Sequence, residues 1–357
     1  MKIVHVIPSL QAGGAEKLLV EASKNYAELG IDLEIIVLKK TNSFLEHKVA
    51  DGVKISYLGK GSPYNPLHII SLGRILKSVQ LVHVHLFPAL YWVTIAKSLW
   101  RREFKLVYTE HSTSNRRRSL PLFKFVDRFI YSKLDFIGCI STATKARLEE
   151  HLKTEKLDIG IISNGIDLGA FKSIPENLST ARSERKPIIL QVSSFRVQKD
   201  QKTLIRSIKY LNRQVDLLLV GEGDTKNDCI ALADTLGIKD RVFFLGIRSD
   251  VPKLMKTADI IVLSSNVEGF GIAAVEGMAA GKPVVASNID GVSEIVGGSG
   301  ILFEKGNAED LSYYLNRLLE DPHYYLAVST RCYNKSREFD IKIMVMKYIE
   351  TYKRLLR

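Results

Sequence analysis

The sequence predicts an α/β protein built from two parallel, doubly wound domains. Two successive series of short apolar stretches, separated by helix-length connections, predict it. A polar stretch between the two series marks the joint, and glycine-bearing turns recur at the carboxyl ends of the expected strands. The length of 357 residues agrees, since it exceeds what one core ordinarily supports.

Residues 3–8 alternate as a strand and Gly13-Gly14 makes a turn. Ala15, Leu18, Leu19, Ala22, Tyr26 and Leu29 then recur at helical spacing until Gly30 stops the helix. Residues 33–38, 54–58, 81–85, 105–109, 136–140 and 158–162 continue the strand series. Residues 170–186 are polar and read as a linker. A new start follows, with strands at 187–193, 216–220, 242–245, 260–263 and 283–286 and a helix at 204–211. The first domain is therefore expected over residues 1–175 and the second over 186–338. In Ile341–Arg357 a broad apolar face containing Met344, Val345, Tyr348 and Tyr352 predicts a long amphipathic terminal helix.

A composition of 46% hydrophobic and 25% charged residues excludes a disordered chain. Cys139, Cys229 and Cys332 lie far apart with no C-x-x-C pair, so neither a disulfide framework nor zinc ligation is expected. No secretory signal opens the sequence. The longest apolar stretch, residues 86–96, contains Pro88 and is about half the roughly twenty residues a bilayer helix needs. A cytoplasmic protein is expected. The net charge of +12, concentrated in residues 1–175, calls for an anionic partner: nucleic acid, phospholipid or phosphorylated substrate. Nucleic acid is disfavoured, because no aromatic-plus-glycine RNA motif, zinc spacing or basic recognition helix is present.

Two common nucleotide motifs fail. Gly221-Glu222-Gly223 follows a strand, but Lys226 stands where a dinucleotide fingerprint needs its third glycine. The stretch from Gly277 to Lys282 is one residue short of a phosphate-binding loop, and Pro283 replaces its metal-binding hydroxyl. The informative stretch runs from Glu268 to Ala279. Gly269 and Gly271 permit close backbone approach to a ligand, and the helix expected near Ile272 would turn its free N–H groups toward an anion. Glu268 in the loop and Glu276 in the helix could accept from ligand hydroxyls; a plain turn followed by a solvent-facing Glu is the alternative. Arg196 and Lys199, after the strand ending near 192, could flank a diphosphate, or could be a charged loop in water. Gly13 and Gly14 make a tight turn and could also approach phosphate. His111 ends a strand, whereas His83 and His85 read as structural.

Together these stretches resemble glycosyltransferase family 4, retaining enzymes of the GT-B architecture. The resemblance rests on Gly13-Gly14-Ala15-Glu16, Thr109-Glu110-His111, Asn164-Gly165-Ile166-Asp167, Arg196 with Lys199, Gly221-Glu222-Gly223-Asp224, and above all Glu268-Gly269-Phe270-Gly271 through Glu276 to Met278–Val284. It implies two facing Rossmann-like domains with parallel sheets and a C-terminal helix crossing back to the first domain. The second domain would bind a nucleotide sugar, with UDP the expected carrier, and the first a glycan or lipid-linked acceptor. Arg196 and Lys199 would stabilise the leaving diphosphate, Glu268 would hold donor-sugar hydroxyls, and Glu276 the ribose. Amides of Phe270, Gly271 and Ile272 would line sugar and phosphate, Gly14 would approach from the other domain, and His111 would touch the transferred sugar.

No D-x-D triplet is present, so neither a metal nor any other cofactor is expected. Ser194-Phe195 and Asp200 depart from the family's commoner Gly-Arg and Lys-Gly, which loosens the role of Arg196. The remaining readings are a nucleotide-sugar epimerase of the same architecture and a basic nucleic-acid-binding protein. Residues 112–133, with Arg116–Arg118, Lys124, Arg128 and Lys133 beside an apolar face of Phe123, Val126, Phe129 and Ile130, suggest peripheral contact with the anionic inner face of a membrane. An ordinary half-buried helix is the alternative.

Overall fold

A computed structural model describes residues 1–11, 13–113, 120–153, 156–172 and 185–357. The chain divides into two compact units, Met1–Gly165 together with Ile341–Arg357, and Ile166–Asp340.

The first unit holds a parallel sheet of β1 (Lys2–Ile7), β2 (Asp32–Val37), β3 (Lys54–Tyr57), β4 (Leu81–His85), β5 (Lys105–Glu110), β6 (Phe136–Cys139) and β7 (Ile159–Ile161). Its order is β3-β2-β1-β4-β5-β6-β7. The central strands are buried throughout, with only Lys2 of β1 exposed, because helices cover both faces. One face lies under the helix Gly14–Glu28 and the terminal helix Ile341–Leu356, which buries Met344, Val345, Tyr348, Ile349 and Tyr352 there. Each such side chain contributes about 1.5–3 kcal/mol on leaving water, so the unit depends on the far end of the chain for its core.

The second unit holds β8 (Ile188–Val192), β9 (Asp216–Val220), β10 (Val242–Phe244), β11 (Ile260–Leu263), β12 (Val284–Ser287) and β13 (Ile301–Phe303), all parallel, in the order β10-β9-β8-β11-β12-β13. β13 is an addition to the expected strands and pairs in parallel register with β12. The helix expected at 204–211 lies at Gln201–Ile208.

The first unit ends at Gly165, not at 175. Backbone pairing decides this. Ile166 donates its N–H to the Phe339 carbonyl at 2.9 Å and bridges Asp340, and Phe171 is buried, so residues 166–172 are tied to the second unit. Among the described residues no helix is long and apolar enough to cross a membrane.

In an open parallel sheet, the connections leave in opposite directions where the strand order reverses, and the carboxyl ends there frame a crevice. The reversal falls between β1 and β4 in the first sheet and between β8 and β11 in the second.

Candidate active site

The two loops at the second reversal point carry the charges singled out in the sequence. The turn after β8 bears Arg196 and Lys199, and the loop after β11 bears Glu268. The backbone clasps them together: Asn266 and Val267 donate their N–H groups to the Gln198 carbonyl at 2.7 and 3.3 Å. Lys199 Nζ forms an ion pair with Glu268 Oε2, with both side chains largely buried. Arg196 is brought to the same turn but is exposed and has no side-chain partner among the described residues.

Two buried polar residues hold this turn. Gln191 on β8 donates to the Lys199 carbonyl at 3.1 Å, and the Ser264 hydroxyl lies 2.8 Å from both Gln191 Oε1 and the Asp200 carbonyl, sharing its one proton between them. Neither was singled out in the sequence, although a glutamine inside an apolar strand was the available signal. Asp200 has φ +43°, in the left-handed region where glycine is at ease and aspartate is tolerated. The aspartate therefore occupies the position where the family's commoner Lys-Gly places glycine.

Gly221 and Gly223 have a structural purpose. A Cβ on Gly221 would lie 2.1 Å from the Ser193 carbonyl oxygen, and one on Gly223 would lie 2.3 Å from that of Phe195. These glycines are the bed on which the cation-bearing turn rests. Phe195 is buried against Phe244, with ring centroids 5.8 Å apart, so it anchors the turn and faces no ligand.

The helix Ile272–Ala279 starts directly after the Glu268 loop, with Gly271 capping it at φ +87°. Its unpaired first-turn N–H groups therefore open at the carboxyl end of β11. Phe270 is buried edge-on against Phe339 at 5.5 Å. Glu276 is only 5% exposed, which rules out a solvent-facing glutamate there.

In the first unit Gly13 caps the helix that begins at Gly14, and the Glu16 carboxylate lies over Gly13. His111 follows β5 and belongs to a chain of histidines. His111 Nε2 lies 3.2 Å from His85 Nδ1, and His85 Nε2 lies 2.9 Å from His5 Nδ1. His83 sits between Tyr352 OH at 2.6 Å and Thr109 Oγ1 at 2.7 Å. Burial pushes the His111 pKa down to about 4 and that of His5 down to about 3. It also holds His83 and His85 well below the usual range, so all four rings are neutral near pH 7. Ring nitrogens of His5, His83 and His85 lie within 4.8 Å of one another, a spacing a metal could use. Both nitrogens of His83 and both of His85 are already hydrogen-bonded, however, which accounts for the cluster without one.

Residues 12–170 match the sequence family described as Glycosyltransferase Family 4, and residues 176–339 match Glycosyl transferases group 1. The chain belongs to glycosyltransferase family 4. This glycosyltransferase is 28% identical over 291 residues to N-acetyl-alpha-D-glucosaminyl L-malate synthase of Bacillus anthracis, across 79% of this chain and 76% of that protein. It is 27% identical over 286 residues to the Escherichia coli UDP-Gal:alpha-D-GlcNAc-diphosphoundecaprenol alpha-1,3-galactosyltransferase, across 75% of this chain and 73% of that one. Its fold matches that of Anabaena HepE, crystallised in complex with UDP-glucose, with a TM-score of 0.86 at 24% identity over 99% of this chain and 100% of HepE. The two units are the Rossmann-like domains of the GT-B fold.

Proposed function

We propose that this glycosyltransferase moves a sugar from a UDP-sugar to a lipid-linked glycan acceptor, with retention of configuration and without a metal, in cell-surface polysaccharide synthesis. The observation that carries the reading is the meeting of Lys199, Glu268 and a helix N-terminus at the reversal point of the second sheet. A cation and free backbone N–H groups suit a diphosphate, and a carboxylate suits sugar hydroxyls. The UDP-glucose bound by HepE and the UDP-Gal and diphosphoundecaprenol named for the Escherichia coli relative support the choice of donor and acceptor.

Lys199 and Glu268 satisfy each other's charge. On donor binding, Lys199 turns to the diphosphate and Glu268 to the sugar hydroxyls, so the pair stores its charges in place. As the glycosidic bond breaks, negative charge grows on the leaving diphosphate, where Lys199 and Arg196 stabilise it. Amides of Phe270, Gly271 and Ile272 line sugar and phosphate, Glu276 holds the ribose, and Gly13 and Gly14 allow close backbone approach. His111 is the first unit's hydrogen-bonding contact to the reacting sugar. Retention follows from attack on the face that the diphosphate leaves, with a donor phosphate oxygen taking the acceptor proton.

A thermal-shift panel tests the donor. UDP or its sugar at a hundred times the dissociation constant is expected to stabilise the protein by roughly 2.7 kcal/mol in EDTA. Turnover with the stabilising donor is expected to persist in EDTA. Loss of turnover in EDTA with recovery on Mn²⁺ would overturn the assignment of the diphosphate charge to Lys199 and Arg196.

A lipid-linked acceptor places the enzyme at a membrane surface, and the helix Pro121–Tyr131 is the contact we assign. The sequence's apolar face divides here. Ile130 is buried and Phe123 and Val126 are half-buried, whereas Phe125 and Phe129, four residues apart, are 69% and 51% exposed. Lys133 lies over the Phe129 ring at 5.3 Å, while Arg128 is engaged with the Leu152 carbonyl at 3.0 Å. Arg116–Arg118 lie outside the described residues. Two exposed aromatics beside Lys124 and Lys133 form an amphipathic tip for anionic headgroups. Sedimentation with phosphatidylglycerol vesicles is expected to fall about tenfold in Phe125→Ser/Phe129→Ser and to weaken with salt. Equal sedimentation of wild type and double variant at low salt would remove the helix from this role.

A further inference from the structure

The histidine chain has a direction that buried hydroxyl groups can decide. Tyr348 OH has Thr109 Oγ1, at 2.6 Å, as its hydrogen-bond partner among the described residues, and Tyr26 OH likewise has Tyr352 OH at 3.3 Å. A buried phenol left with its proton unpaired is costly, so both tyrosines donate. Thr109, receiving from Tyr348, then donates to His83 Nε2 at 2.7 Å, which places the His83 proton on Nδ1 facing Tyr352 at 2.6 Å. Tyr352, receiving from His83 and Tyr26, has its own proton left for His5 Nε2 at 3.5 Å. His5 then donates from Nδ1 to His85 Nε2, and His85 donates from Nδ1 to His111 Nε2. The reversed chain would have Thr109 donate to Tyr348 and leave the Tyr348 proton without an acceptor.

We propose that His85 and His5 are positioning residues, which fix His111 as the Nδ1–H tautomer and so make it a hydrogen-bond donor to a ligand oxygen and not a base. Its Nδ1 has no partner among the described residues, so the donor is free for substrate. The substrate half of this inference rests on the reading of His111 as a sugar contact; the tautomer half does not. The chemistry matches front-face transfer, in which the donor phosphate takes the acceptor proton and a second base has no task. A neutral donor instead holds a sugar hydroxyl by its oxygen.

Nitrogen-15 imidazole spectra of the ligand-free, histidine-labelled protein test it directly. In wild type, His111 is expected to show a protonated, pyrrole-type Nδ1 and a pyridine-type Nε2. In His85→Leu it is expected to shift toward the Nε2–H form favoured by free imidazole, and in His85→Asn, whose amide can replace the Nδ1–H donor, to stay as in wild type. The kcat is expected to fall about tenfold in His85→Leu and largely to recover in His85→Asn, with donor KM little changed. A wild-type spectrum with Nε2–H on His111, or a His85→Leu spectrum identical to wild type, overturns the proposal. The wild-type spectrum decides even if the leucine variant fails to fold. Full activity in His111→Ala would instead remove the sugar-contact reading while leaving the tautomer assignment standing.

Discussion

Acidification from pH 7.5 to 5.5 is expected to remove roughly 5 kcal/mol from the stability of the first unit. His5, His83 and His85 are buried and held neutral, with the His5 pKa lowered to about 3. Unfolded, each would titrate near 6.5. The folded value lies below the unfolded one, so their contribution is complete above pH 6.5. It is lost as pH falls toward 4, where the unfolded chain binds protons that the folded chain refuses. Each fully buried ring forfeits about 1.3 kcal/mol over this interval, and the partly exposed His111 somewhat less. Glu34 does not confuse the window. Burial pushes it up, but Lys54 and Ser56 hold it below 4.5, so its contribution goes only at lower pH. Trp92 and Trp100 both belong to this unit, so tryptophan fluorescence in urea follows it alone. An unfolding midpoint that does not move between pH 7.5 and 5.5 would contradict neutral burial of the cluster.

Lys199→Ala and Glu268→Gln are each expected to lose between about ten- and over a hundredfold of transferase activity while staying folded. A hydrogen bond to a charged group is worth about 1.5–3 kcal/mol, and each 1.4 kcal/mol in the barrier is a factor of ten. The ion pair sharpens the test, because either substitution alone strands the partner's charge in a largely buried place. If the two residues hold different parts of the donor, the double variant loses more than either single one. If they serve only each other, the double variant recovers relative to the singles. Near-full turnover by either single variant would end that residue's assigned role.

The fold was legible because parallel strands covered on both faces leave apolar runs that local reading can find, as in β4 and β11. β13 was not read from the sequence and is recognised by its register with β12. The polar stretch 170–186 pointed to a boundary that pairing of Ile166 with Phe339 places earlier. In the second unit, the meeting of Lys199 and Glu268 was legible because both stand on loops at the carboxyl ends of strands that flank the reversal point, whereas the burial of Glu276 inside the following helix was not. Nor was the histidine chain. It depends on His5 falling opposite His83 in the register of β1 with β4, and on Tyr352, which lies 269 residues beyond His83. The burial of Phe195 was not legible for a related reason: its contact with Phe244 depends on where β10 places that ring.

The interrupted composition of the first unit also sets an order of assembly on the ribosome. Residues 1–165 emerge first but lack the helix that caps one face of their sheet, and Tyr348 and Tyr352 arrive last. The second unit is continuous and has all its strands once Phe303 has emerged. At roughly 5–20 residues per second, the amino-terminal sheet waits through synthesis of the entire carboxyl-terminal unit with apolar surface uncovered. The segment made first is thus the last to reach its native packing.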